Sequence, residues 1–86
     1  MYYVYVLLSS DESLYIGYTN DLKRRYNQHL QGKSQATKHK QYKLVYYEAY
    51  LSEEDARRRE RKLKDGRAKY HLLNRLSKSK EIAFEI

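Results

Sequence analysis

Five side chains in this 86-residue chain stand where their types and spacing could do chemistry together: Tyr5, Tyr15, Arg25, His29 and Glu60. The tyrosine pair follows from strand alternation. Tyr2 to Leu8 (YYVYVLL) and Ser13 to Tyr18 (SLYIGY) are rich in β-branched and aromatic residues, and the polar Ser9 to Glu12 between them forms turns readily, which predicts a β-hairpin. Successive strand side chains point to opposite faces, so Val4, Val6 and Leu8 share a face, matched by Leu14 and Ile16. Tyr3, Tyr5 and Leu7 share the other face with Tyr15 and Gly17. Aligning the aliphatic sets makes the Tyr5 and Tyr15 phenols neighbours, with Gly17 leaving backbone open beside them. The plainer reading of this pair is an ordinary cross-strand tyrosine contact.

The other three come from helices. Thr19 or Asn20 can cap a helix that carries Asp21 in its first turn, shows Leu22, Tyr26 and Leu30 at four-residue spacing, and stops at Gly32. Arg25 and His29, four apart, stack on one face beside that stripe; the bland alternative is two solvated side chains at its edge. A later helix begins at Ser52, with Glu53, Glu54 and Asp55 on its positive dipole end, and ends near Gly66. Its apolar stripe is Ala56, Glu60 and Leu63, so a carboxylate occupies a core slot. A hard divalent cation would explain that carboxylate, as would an ion pair with Arg25 across a cleft. A snorkelling Glu60 paired with Arg57 or Lys64 on its own helix explains it equally.

The elements that must position these groups are few. Lys43 to Tyr50 (KLVYYEAY) returns to strand composition after a polar, basic stretch, Lys33 to Tyr42, that reads as a loop. A last helix is expected over roughly Arg67 to Leu76, followed by Ser-Lys-Ser-Lys and an apolar tail, Ile82 to Ile86, to which the pattern assigns no role. The hairpin connection is too short for a parallel crossover. The fold class is therefore α/β, a small, mainly antiparallel three-stranded sheet flanked by helices, in the order β-β-α-β-α-α. At this length, 1–86 reads as a single domain.

Composition narrows the function. The absence of Cys excludes disulfide scaffolds, thiolate zinc sites and Cys nucleophiles. No apolar run approaches membrane-spanning length and no leader pattern opens the chain, which predicts a soluble, cytoplasmic protein without a membrane partner. A net charge of +7 is the footprint of a polyanion binder, nucleic acid first. Eight of the eighteen cations lie between Arg57 and Lys69 and seven between Lys23 and Lys43. Lys23, Arg24, Lys38, Lys40, Arg57, Arg58, Arg61 and Lys64 are the candidate phosphate contacts, although a charged helical run is more often a solvated face.

Tyr3-Val4-Tyr5, a nine-residue gap, then Tyr15-Ile16-Gly17 resembles the signature of GIY-YIG endonuclease domains. Thr19 to Arg25 with His29 one turn later is similar to that family's first helix, Arg25 falling where its arginine falls, and Glu60, four residues after Ala56, matches its metal-binding glutamate. The resemblance spans roughly residues 2–70 and is to small stand-alone members, similar to the nuclease module of the bacterial excision-repair incision subunit. It implies hydrolysis of DNA phosphodiesters with one divalent ion, Mg²⁺ or Mn²⁺. By position, Tyr5 would be the base or water-orienting phenol, Tyr15 its partner, Arg25 the phosphate clamp, His29 an aid to proton transfer and Glu60 the metal ligand. A phenol of ordinary pKa, about 10, would need a neighbouring cation to act as a base at neutral pH. Two positions depart from the pattern: Tyr3 stands in place of the first Gly, and Tyr18 where some repair nucleases carry lysine. Asn74 is the candidate for a family asparagine late in the fold. Targeting is expected from a protein partner or a second copy of the chain. The competing readings are a module that binds nucleic acid without cutting and a protein-interaction domain.

Overall fold

The computed structural model of the protein describes residues 1–32 and 41–84. β1 (Tyr2–Ser9) and β2 (Leu14–Thr19) form the expected hairpin, closed by a Ser9–Ser13 turn in which the Ser9 amide donates to the Ser13 carbonyl at 3.0 Å. α1 (Leu22–Leu30) follows, then β3 (Tyr42–Tyr50), α2 (Glu53–Leu63), α3 (Gly66–Arg75) and α4 (Ser77–Ala83). All pairing is antiparallel and the strand order is β2-β1-β3, which places the first strand in the middle.

That order separates the two faces of β1. Val4 and Val6, with Ile16 of β2, pack against Ala56 and Leu63 of α2, Leu72 of α3 and Leu76. Each fully buried aliphatic side chain there contributes roughly 1.5–3 kcal/mol. β3 matches the face through a bulge at Val6/Leu7, and Val45 and Tyr46 both pack against this core. Among β3 residues on this side is a carboxylate, Glu48, which receives Arg59 of α2 through its Nε (2.9 Å) and Nη2 (3.0 Å). The hydroxyls of Tyr46 and Tyr50 donate to the same carboxylate. Burial opposes its charge, but Arg59 and the two phenols hold Glu48 below the usual carboxylate range. The pair ties the rotation of α2 to β3.

Four expectations are corrected. Asp21, not Thr19 or Asn20, caps α1, accepting from the Arg24 amide at 3.1 Å, while the Thr19 hydroxyl accepts from the Asp21 amide. The inward face of α1 is not the full Leu22, Tyr26, Leu30 stripe: Leu22 and Tyr26 are half-buried, but Leu30 is 59% exposed and His29 is the buried residue of the helix. Where the buried end of α1 meets the sheet, the face presents the rings of Tyr5 and Tyr15, so it takes the imidazole and leaves Leu30 outside. Finally, Gly66 opens α3 rather than ending α2, with Asp65 as the cap, and the Ser-Lys-Ser-Lys segment is the start of a fourth helix. Lys80 of that helix pairs with Glu12 (3.4 Å), and Lys43 donates to the Ala83 carbonyl, tertiary contacts with no local signature. Asn74 lies in a hollow shared with Leu8, Ser9 and Phe84, beyond the opposite end of β1 from Tyr3. Among the described residues, no helix is long and apolar enough to cross a membrane.

Candidate active site

Tyr5 and Gly17 are cross-strand partners, and the glycine is needed there. A Cβ built on Gly17 would overlap the Tyr5 ring carbon and hydroxyl and lie 2.9 Å from Cε1 of Tyr15. The space expected to be open backbone is filled by the Tyr5 phenol, and no other residue would let it lie there. Tyr5 and Tyr15 are neighbours as the alternation requires, their ring centroids 6.1 Å apart. Tyr5 is buried, whereas Tyr15 remains half-buried and is the phenol that reaches the surface.

α1 lowers its Arg25–His29 face onto these rings. The His29 ring packs edge-on to both, with centroids at 5.7 Å from Tyr5 and 5.0 Å from Tyr15. Its Nε2 lies 2.9 Å from the Tyr5 hydroxyl. Burial first, and then the charge of Arg25, push the His29 imidazole down to about 4, so it is neutral at physiological pH, and its tautomer sets which partner donates in the Nε2–Tyr5 hydrogen bond. Burial first, then Tyr15, drive the Tyr5 phenol upward; Arg25 acts against them and is outweighed. The cation thought to ready Tyr5 as a base is therefore in place, yet Tyr5 is held in its protonated form. Burial likewise works against Arg25, but the phenol oxygens of Tyr5 and Tyr15 outweigh it and raise the guanidinium above its ordinary value. Arg25 also donates to the Gln28 side chain at 3.0 Å, which fixes its fork on this face.

Glu60 lies on the other side of the sheet's β2 edge. Its helix buries Ala56 and Leu63 as the stripe requires, and Glu60 is half-buried between them, paired with Lys64 at 3.4 Å. Among the described residues its ion pair is with its own helix rather than with Arg25. Lys64, with Lys69, lines a hollow of about 240 Å³ that also contains Tyr15, so the two sides meet at the free edge of β2. The described residues hold no group of three or more His, Asp or Glu able to bind a metal together. A lone hard carboxylate suits Mg²⁺ or Mn²⁺, which keep most of their waters and share the rest of their shell with a substrate phosphate. It does not suit ions that need a full protein cage.

The candidate phosphate contacts divide. Arg57 stacks over the Tyr18 ring at 4.3 Å and pairs with Glu53, Arg58 pairs with Asp55 and Arg24 with Asp21, all as exposed side chains. Arg61 and Lys23 are exposed as well. Lys38 and Lys40 lie outside the described residues. Sequence reasoning did not find the internal role of Arg59 or the place of Lys69 beside Tyr15. The signal for Arg59 was Glu48, a carboxylate on the core face of β3 by simple alternation.

The fold and this cluster define a small α/β domain in which a guanidinium, two phenols and a neutral imidazole converge on one sheet face. Residues 1–80 match the GIY-YIG catalytic domain, and the chain belongs to that family of nucleases. It is 47% identical over 60 residues to a UPF0213 protein of Streptococcus agalactiae, covering 67% of this chain and 68% of the relative. It is 42% identical over 59 residues to a UPF0213 protein of Limosilactobacillus reuteri, covering 64% and 62%. The solution NMR structure of a UPF0213 protein from Bacillus halodurans is similar to it with a TM-score of 0.56 and 38% identity, over 86% of this chain and 84% of that one.

Proposed function

We propose that this protein is a metal-dependent endonuclease that hydrolyses DNA phosphodiester bonds, directed by DNA structure or by weak sequence preference, in cytoplasmic DNA repair or recombination. The observation that carries the reading is the Tyr5–His29 hydrogen bond beside Arg25: proton acceptor, phenol and phosphate clamp share one face. In the reaction, a water oxygen forms the new bond to phosphorus while the bond to the leaving ester oxygen breaks. The water's proton passes to the phenols, entering through the more exposed Tyr15, as the Tyr5 proton moves to Nε2 of His29, and solvent water protonates the leaving oxygen. Arg25 holds the charge that builds on the non-bridging oxygens. Burial is the larger cause of the depressed His29 imidazole, and a phosphate on Arg25 would offset only the smaller one, the charge of Arg25. Glu60 would hold Mg²⁺ or Mn²⁺, which when bound supplies Lewis-acid stabilisation of the phosphate. Lys23, Arg24, Arg57, Arg58, Arg61 and Lys64 would grip the backbone without reading bases, leaving selection to DNA shape, a protein partner or a second copy.

The test is cleavage of single-stranded, duplex, flap and branched DNAs with Mg²⁺ or Mn²⁺, comparing wild type with Tyr5→Phe. The expected result is cutting by wild type, slowed by about 10²-fold or more in a folded variant that has lost its proton path. A second reading, a module that binds DNA without cutting, is favoured by the Glu60–Lys64 pair, which already engages the metal-ligand carboxylate. Wild type that binds every substrate and cuts none would establish it.

A further inference from the structure

Tyr3 replaces the family's first Gly, and its ring has company. It lies on the same sheet face as Tyr5 and meets Tyr47 of β3 in a T-shaped contact, with centroids 6.0 Å apart. Tyr47 is the direct cross-strand partner of Tyr5, yet it is 54% exposed. With Tyr26 and Leu44 these rings wall an open hollow of about 430 Å³ between α1 and β3, and Lys23 stands at its rim. Asp21 is also at the rim, but its carboxylate is engaged as the α1 cap and by Arg24 at 3.8 Å. The core does not need this arrangement, because the packed aliphatic cluster lies on the opposite face of the sheet.

We propose that this hollow is a stacking site for an unpaired nucleobase, so that the substrate is DNA carrying an unpaired nucleotide next to the phosphate held by Arg25. This deepens the nuclease reading and rests on it for the position of that phosphate. Three lines converge. Every base offers a π-face to a tyrosine ring, and stacking on exposed aromatics is the sequence-tolerant way to hold single strands. A base inside a duplex has both faces covered by its neighbours and shows only its edges, so a ring-walled hollow selects bases that are out of the stack. The cation at the rim and the net charge of +7 suit a polyanion, and the hollow is contiguous with the Tyr5 and Arg25 cluster through the Tyr5/Tyr47 register pair. An apolar protein segment would match the rings but not the charge around them.

The experiment is binding without chemistry, in EDTA, using the full chain and oligodeoxynucleotides that carry one 2-aminopurine, single-stranded or fully paired. The single strand is expected to bind with quenching of the 2-aminopurine, and Tyr47→Leu to abolish the quenching and weaken single-strand affinity by about tenfold. Duplex affinity should change less than twofold, and Tyr47→Phe should behave as wild type, because the ring rather than the hydroxyl does the stacking. Quenching and affinity unchanged in Tyr47→Leu, an equal loss on duplex, a Tyr47→Phe as weak as Tyr47→Leu, or no single-strand binding by wild type would each overturn the proposal. A wild type that quenches but never cuts with Mg²⁺ would overturn the nuclease reading alone. A wild type that cuts, with no Tyr47-dependent quenching, would overturn the stacking site alone.

Discussion

The two faces of β1 are made from one stretch of sequence and do opposite work. The face under α2 carries Val4 and Val6 into an aliphatic cluster closed by Ala56, Leu63, Leu72 and Leu76. The face under α1 carries Tyr3 and Tyr5 into a set of rings joined by His29, Tyr15 and Tyr47, with Arg25 laid across it. The first face stabilises the domain through burial that any well-packed aliphatic set could supply. The second holds polar atoms under cover, and each has a partner: among the described residues no buried side-chain nitrogen or oxygen lacks one. A three-stranded sheet can thus keep a reactive cluster without weakening its core, because alternation along the central strand insulates one from the other.

That division predicts how the faces fail. Leu63→Ala should cost about 2–5 kcal/mol, most of what a domain of this size has to spare, read as a fall in the urea midpoint. A loss under 1 kcal/mol would show that the core does not lie under α2. The next effect belongs to the other face. His29 titrates at about 4 when folded and near 6.5 when unfolded, so the unfolded chain takes up its proton first as pH falls. The contribution is complete above pH 6.5 and is lost towards pH 4, by about 1.4 kcal/mol per pH unit. Urea titrations of wild type and His29→Leu should diverge in that window, the variant showing the flatter acid limb; parallel limbs would mean that His29 is not shielded.

Gly17→Ala should cost about 1–3 kcal/mol and reduce DNA cleavage by far more than its stability loss explains, since the new methyl must displace the Tyr5 phenol. Cleavage kept at the wild-type rate would break the link between Gly17 and the site. The smallest effect is expected on the outer surface. Arg58→Ala, whose partner is an exposed i,i+3 aspartate, should change stability by less than about 0.5 kcal/mol. It should also lower the slope of log affinity for DNA against log salt by about one. An unchanged slope would remove Arg58 from the DNA-facing surface.

Much of this was legible before folding, and the reasons are local. Alternation in YYVYVLL and SLYIGY is a period-2 signal that put Val4, Val6, Leu14 and Ile16 on one face and Tyr3, Tyr5, Tyr15 and Gly17 on the other, and so placed Tyr5 beside Tyr15. The Ala56, Glu60, Leu63 stripe is a helical period that put Glu60 in a core slot; Ala56 and Leu63 are buried as it requires, while Glu60 is only half-buried. What periodicity misread was α1, where Leu22, Tyr26 and Leu30 formed the better apolar stripe and the helix nevertheless buried His29. The choice was made by the partner surface, since a face of phenols offers an imidazole hydrogen bonds that it cannot offer leucine. The fourth helix is of the same kind, being short and polar and held by Lys80–Glu12 and Lys43–Ala83 contacts across long sequence separations.

Residue types, their faces and the overall charge are thus properties of the chain itself, because strand and helix periods and ionisation act over a few residues. The protonation states of Tyr5 and His29, the need for Gly17, the lock of Arg59 on Glu48 and the gathering of Tyr3, Tyr26 and Tyr47 into one hollow belong to the tertiary structure. Each depends on burial and on distances between groups far apart in sequence, quantities that have no value until the sheet and its helices have packed.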